Sequence, residues 1–373
     1  MRFATGTTVR DFDDYAAWLA VAADCGYAML TTGDSQSLWA DPYVCLTFAA
    51  QRTTTQRLAV TVSNPRTRHP AVAASAASAL QQISGGRFVL GIASGDSALR
   101  NIGVRPGTVD ETEAYVRAVR ALTRGEPADW RGIELVQRWA PAGTPVWMAA
   151  EGPRTLRAAG RCADGVILSN SLTREAYARN LGHIAAGAAE AGRDVADIEI
   201  WCMANVVPAR TEEEGIRQVR SVLAGTANHV FRFTTEGKGL PSSLVPKVNE
   251  LKRRYDSAHH ASPETAGHNA ALVDELGLTG RLAGHSTVAG PIGYCAERLA
   301  EIEESGIDNV IVAQFVPEPL RFMREFADEV VARMSRPDPT RAGVRRASHA
   351  ANGAGGWLDH SRRTLGDRAY APP

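Results

Sequence analysis

The sequence predicts an α/β fold, a closed (β/α)8 TIM-like barrel, on three observations. Strand-like and helix-like segments alternate about eight times, too regularly for segregated layers of helix and sheet. The stretch Leu58–Asp96 reads strand, helix, strand with short links, so its two strands should run parallel through a right-handed crossover. The competing doubly wound open sheet lacks its usual signature, because no GxGxxG follows the first strand.

In order, Phe3–Thr7 is the first strand. Phe12–Cys25 is an amphipathic helix with Tyr15, Trp18, Leu19 and Ala22 on one face, closed by Gly26. Ala28–Thr32 is the second strand, and Asp41-Pro42 opens the next helix as N-cap and N1 proline. Leu58–Ser63 is a β-branched third strand stopped by Asn64-Pro65. Pro70–Ile83 repeats at helical spacing and ends at Gly85-Gly86, and Arg87–Ile92 is the fourth strand. Thr108–Leu122 is a helix whose acidic start and basic end match the macrodipole. Arg124–Ala142 is a polar excursion with room for a short hairpin. Val146–Ala150, Val166–Leu168, Ile198–Val207 and Ile307–Gln314 are strands five to eight, with helices at Pro153–Cys162, Arg174–Gly192 and Pro319–Met334.

Two regions depart from the alternation. Between strands 7 and 8, residues 211–289 are a long insertion, with a charged helix at Glu212–Leu223, a loop at Glu236–Pro241 and a basic helix at Lys247–Arg254. His259-His260 and His268 follow, without the spacing of a zinc site. An insertion of that size at a barrel rim is expected to act as a lid or to shape the substrate site. The barrel domain then spans 1–334, and the Arg-, Gly-, Ala- and Pro-rich residues 335–373 read as a flexible tail or an arm at a subunit contact.

Composition narrows the function. The 373 residues are 44% hydrophobic and 22% charged, with 41 basic and 41 acidic side chains. Zero net charge gives no field of one sign to attract nucleic acid or an anionic membrane. No apolar run is long enough to span a bilayer, and the opening MRFATGT is strand-like rather than a basic and then apolar leader. Five scattered cysteines without a CxxC read as reduced, which together predicts a cytoplasmic protein. No GxSxG or Walker pattern supports a hydrolase or phosphotransferase.

Three runs carry a family resemblance: Val62-Ser63-Asn64-Pro65-Arg66-Thr67-Arg68-His69-Pro70, Ile83-Ser84-Gly85-Gly86-Arg87, and Gly91-Ile92-Ala93-Ser94-Gly95-Asp96. Ala149-Ala150-Glu151-Gly152-Pro153-Arg154 and Ala163-Asp164-Gly165-Val166-Ile167-Leu168 agree in order and spacing. Together they resemble the bacterial luciferase-like flavin oxidoreductase superfamily, most of all its methylenetetrahydromethanopterin reductase-like branch. The resemblance implies a TIM-like barrel that uses either reduced FMN with oxygen, as a monooxygenase, or the deazaflavin coenzyme F420 as a hydride carrier. It implies a small-molecule substrate, a homodimer or homotetramer and, in the FMN case, a flavin reductase as partner. A non-catalytic flavin-binding or partner barrel subunit is the alternative from another class.

The resemblance places the cofactor on the turns after the strands. At Ala150-Glu151-Gly152-Pro153 a helix start offers free N–H groups and a positive dipole end to a phosphate, where an ordinary βα turn is the plainer reading. Ser169 and Asn170 can add donors there. Glu151 opposes a phosphate unless it points away, with Arg154 as candidate compensation. At Val62-Ser63-Asn64 the superfamily forms a bulge, often with a non-proline cis peptide, that backs the flavin ring. Asp34 can bond the ring edge or shuttle a proton, or merely close an Asx turn. In Ser94-Gly95-Asp96, Gly95 allows close approach of the cofactor, and Asp96 either contacts it or caps the next segment. His69 is a candidate acid or base, and equally a helix cap. The expected catalytic residues are therefore Asp34 and His69.

Overall fold

A ring of eight parallel strands organises the computed structural model, which describes residues 1–139, 143–256, 267–313, 316 and 318–334. The first half alternates β1 (Arg2–Gly6), α1 (Phe12–Asp24), β2 (Met29–Thr32), α2 (Pro42–Ala50), β3 (Arg57–Ser63), α3 (Pro70–Ile83) and β4 (Phe88–Ile92). A one-turn helix α4 (Ser97–Arg100) and the longer α5 (Val109–Thr123) precede a hairpin, β5 (Ala128–Trp130) with β6 (Ile133–Leu135). The ring resumes with β7 (Val146–Ala149), α6 (Pro153–Cys162), β8 (Gly165–Leu168), α7 (Arg174–Glu190) and β9 (Glu199–Pro208). After the insertion come β10 (Thr287–Gly290), α13 (Ile292–Glu304), β11 (Asn309–Ala313) and α14 (Pro319–Phe326).

The ladder runs β1-β2-β3-β4-β7-β8-β9-β11 and closes where Arg2 to Thr5 of β1 pair with Asn309 to Val312 of β11. This is the predicted (β/α)8 barrel. β10 adds a ninth strand against the far half of β9, from Asn205 to Pro208, so the last residues of the predicted insertion belong to the sheet.

Local chemistry explains the helix starts. Asp11 accepts from the Asp13 and Asp14 N–H groups, and Asp41 from those of Tyr43 and Val44 with Pro42 behind it. Thr108 and Glu111 form a reciprocal capping box on α5. Gly160 and Gly187 let α6 and α7 touch backbone to backbone, since an added Cβ on either would lie about 2 Å from a carbonyl oxygen. Arg87 closes the base of β4, its guanidinium and Nε donating to Ser84 O, Gln56 O, Ala50 O, Thr53 O and Thr53 Oγ1 at 2.6–3.1 Å.

The barrel is packed rather than hollow. Ala4, Met29, Ala59, Val89, Trp147, Ile167, Trp201 and Ile311 fill it, with the Trp147 and Trp201 rings stacked at 6.1 Å. Gly165 makes the room, because a Cβ there would lie 2.5 Å from Trp147 Nε1. At the amino ends of the strands Glu199 accepts from Arg57 Nη1 at 2.8 Å, Arg2 Nη2 at 2.8 Å and Trp201 Nε1 at 3.0 Å. This ion-paired cluster covers the amino ends of the strands, and in barrels of this kind ligands bind at the opposite, carboxyl-end rim.

The insertion is helical: α8 (Glu212–Gln218), α9 (Arg220–Phe231), α10 (Val245–Arg254), α11 (Gly267–Glu275) and α12 (Thr279–Ser286). The predicted helix Glu212–Leu223 is in fact broken at the buried Val219, which separates α8 from α9. Val219, Leu223, Ala227, Phe231, Leu251 and Leu272 belong to an apolar cluster of the insertion's own. Among the described residues no helix is long and apolar enough to cross a membrane. His259, His260 and residues 335–373, named above as lid and tail, lie outside the described residues.

Candidate functional site

Five turns that follow parallel strands of one ring meet at one rim. At the end of β3 the peptide Thr61–Val62 is cis and the β3–β4 register shifts between Val60 and Ser63, so β3 bulges there. Gly91 of β4 accommodates the bulge: a Cβ on it would lie 2.4 Å from Val60 O and 3.1 Å from Val62 Cγ1.

Ser63, turned by the bulge, donates its hydroxyl to Asp34 Oδ2 at 2.5 Å. Asp34 therefore does not spend its carboxylate on an Asx turn of its own loop. Burial raises its pKa; Ser63 and Arg68 oppose that, and Asp41 adds to it. Asn64 does form such a turn, accepting from the Arg66 and Thr67 N–H groups at 3.0 Å each. Its Nδ2, on a side chain 1% exposed, has no partner among the described residues, and neither does the buried Thr32 Oγ1. His69 is exposed and caps α3, its Nδ1 accepting from Ala71 N at 3.3 Å, with Trp130 edge-on at 6.2 Å.

Asp96 differs from the cap reading, since it makes no capping bond to α4. Its carboxylate instead meets Arg100 Nε at 3.0 Å, Arg232 Nη1 at 3.1 Å and His229 Nδ1 at 3.5 Å. Burial alone would raise its pKa; the His229 hydrogen bond and the charges of Arg232, His229 and Arg100 override that and hold it far below the usual carboxylate range. Arg232 also donates to Ser94 Oγ at 2.9 Å. Gly95, at φ +96°, faces Leu99 Cδ1 at 2.3 Å from its missing Cβ, so α4 packing demands this glycine.

The turn Ala150-Glu151-Gly152-Pro153 starts α6 as expected, with no side-chain cap. Glu151 Oε1 accepts from Ser169 N at 2.6 Å, so this N–H, one of the candidate phosphate donors, is already engaged. Arg154 does not balance Glu151, lying exposed and 3.7 Å from Asp110. The balancing charges come from the insertion. Burial raises the Glu151 pKa, while His229, the Ser169 bonds and Lys238 lower it. Lys238 is 9% exposed, its Cε lies 3.2 Å from where a Gly152 Cβ would be, and its Nζ donates to Val230 O. Burial depresses the Lys238 pKa to about 8, against the pull of Glu151. Asn170 contributes a buried Oδ1 without a partner among the described residues.

Three rim residues were absent from the sequence expectations: His229, Arg232 and Lys238. Only Lys238 carries a local signal, as the centre of Gly237-Lys238-Gly239 with both glycines at positive φ. Such a loop lets the backbone come close to Pro153, whose Cγ lies 2.4 Å from the missing Gly237 Cβ.

Eight parallel strands closed into a ring, with helices between them, define the class: a (β/α)8 barrel, whose polar and cationic side chains gather at the carboxyl ends of the strands. Within that class the chain belongs to the luciferase-like monooxygenase family, whose model matches residues 2–309. It is similar to 5,10-methylenetetrahydromethanopterin reductase of Archaeoglobus fulgidus, 26% identical over 305 residues, which are 78% of this chain and 87% of that protein. The enzyme of the same name from Methanolobus tindarius is 32% identical over 169 residues, 43% of this chain and about half (51%) of the relative. Among solved structures, coenzyme F420 dependent tetrahydromethanopterin reductase from Methanopyrus kandleri superposes with a TM-score of 0.70 at 21% identity, covering 89% of this chain and 99% of that one. The family expected from the sequence is therefore the right one, and the chain is an oxidoreductase.

Proposed function

We propose that the protein transfers hydride between coenzyme F420 and a small organic substrate. The observation that carries this reading is the pairing, at one rim, of the Asp34–Ser63 bulge with the Lys238-covered turn at Gly152. The residues present fit such a cofactor. Asn64 Nδ2 is a buried donor in want of an acceptor, beside a bulge that can back a planar ring. Lys238 brings an ammonium group to the start of α6, where free N–H groups already favour an anion. The Glu151 carboxyl, which burial pushes toward its neutral form, weakens the repulsion an anion would meet there.

F420, when bound, supplies the two-electron carrier, and the chain supplies position and proton control. Asp34 holds or accepts the proton of the reacting substrate oxygen, and Ser63 fixes the carboxylate that does so. Arg232, joined to Ser94 and Asp96, draws the helical insertion onto the rim and excludes water from the reacting centre. His69 is left with a structural role at α3. The names of the relatives, reductases of methanopterin compounds, support hydride transfer over oxygen activation.

Titration with F420 and with reduced FMN, followed by absorbance and fluorescence, tests the assignment. Saturable F420 binding with turnover that persists without oxygen is expected. Binding of reduced FMN alone, with turnover that stops without oxygen, would replace this reading by the monooxygenase one. Binding of neither would leave a partner subunit without catalysis.

A further inference from the structure

A second group of cations is left over after the rim has been explained. Arg179 of α7 and Arg281 of α12 converge on the loop that carries Lys238: Arg179 Nη2 lies 3.5 Å from Lys238 O, and Arg281 Nη2 donates to Gly239 O at 2.8 Å. His285, one turn beyond Arg281, is 8% exposed. The Nε of Arg179, the Nδ1 of His285 and the Oδ1 of Asn170 are buried without a partner among the described residues.

Among the described residues, Glu175 is the carboxylate that acts on this group, and it acts on His285 rather than on Arg179. Burial and then Arg281 depress the Arg179 pKa, and no carboxylate opposes them. Burial, Arg281 and Arg179 likewise push His285 down to about 4; Glu175, one turn before Arg179 on α7, and a bond to the Asn170 backbone only partly offset that. Two guanidinium groups that repel each other, one with a desolvated N–H, form an arrangement that an oxyanion relieves, because a planar fork matches carboxylate or phosphate oxygens in pairs. The loop separates this group from the α6 turn. Its Gly237 touches Pro153 on one side, and on the other the missing Gly239 Cβ would meet Arg179 Nη1 at 2.5 Å.

We propose that Arg179 and Arg281, backed by His285, form an oxyanion subsite beyond the Gly152 turn that holds a carboxylate or phosphate of the ligand seated at the rim. The inference rests on the rim being a ligand site, but not on which cofactor fills it. The anion has two possible sources, the phosphate- and glutamate-bearing tail of F420 or a charged group of the substrate.

The test uses the intact protein with inorganic phosphate and with glutarate as probes, read as a saturable rise in melting temperature. The wild type is expected to respond, and Arg281→Gln with Arg179→Gln to lose about tenfold or more in affinity. No response to either anion, or an equal response in the double variant, would overturn the subsite. Arg281→Lys keeps the charge while removing the fork, so an intermediate affinity is expected even where the double variant does not fold; unchanged affinity in a folded Lys variant also counts against it. A second arm compares F420 with its tail-less ring analogue. A preference for F420 that falls about tenfold in Arg281→Gln assigns the anion to the tail. A preference that holds while the phosphate and glutarate responses are lost assigns it to the substrate. If the ring analogue does not bind at all, the deazaflavin reading fails and the anion titrations still stand.

Discussion

Ser63 gives its hydroxyl hydrogen to Asp34 across 2.5 Å, tying the carboxyl end of β3 to that of β2. The bond favours the ionised carboxylate, while burial, the larger influence, favours the neutral acid. Asp34 should therefore titrate above a free aspartate, and activity that needs it ionised should fall on the acid side. Asp34→Asn should lower turnover about 100-fold or more with little change in cofactor affinity. Ser63→Ala removes an influence that lowers the pKa, so the acid limb of the pH–rate profile should move to higher pH. An unmoved limb would mean that another group sets it.

Asp96 and Arg232 make the corresponding tie between barrel and insertion, and here the carboxylate's pKa is shifted the other way. The folded-state pKa of Asp96 is depressed, so its contribution to stability is fully present above the unfolded value of about 4 and is lost as the pH falls through the folded value. Asp96→Asn leaves Arg232, whose side chain is 8% exposed, without its ion pair, at a cost of about 3 kcal/mol. Urea unfolding at pH 7 and pH 3 should show that the wild type loses more stability on acidification than Asp96→Asn does.

Lys238 sets the expected pH dependence of anion binding. Burial lowers its pKa to about 8, so the ammonium is charged below that pH and neutral above it. Affinity for an anionic cofactor should decline above pH 8. Lys238→Met should bind about tenfold more weakly at pH 7, with the decline gone. Binding titrations between pH 6 and pH 9.5 check both.

These side chains also mark where sequence reading stops. The eight ring strands and the N-cap Asp41 were legible because apolar periodicity and cap chemistry are local. The break at Val219 was not, because charged periodicity runs on through a residue whose backbone leaves the helical region, at φ −105° and ψ 10°. Glu151 was read as a misfit at a phosphate turn, whereas its partner is the backbone of Ser169 on the next strand's turn. Arg232 left no trace at all. It meets Ser94, 138 residues away, and nothing in Phe231-Arg232-Phe233 says that its charge is buried.

Gly91 offers a test of how the bulge is built. A glycine inside a strand is costly unless something needs the space. Here Val60 O would sit 2.4 Å from an added Cβ, and Val62 Cγ1 3.1 Å away, so Gly91→Ala must push β3 off the position that presents Ser63 to Asp34. The expected cost is about 1–3 kcal/mol, together with weaker cofactor binding and the same movement of the acid limb as in Ser63→Ala. Gly182, on α7 with open space around it, is the control. Gly182→Ala should stabilise by about 0.5–1 kcal/mol and leave binding unchanged. Should both alanines change stability and affinity alike, crowding at β3 is not what Gly91 prevents, and the placement of Ser63 must be traced to the β3 chain alone.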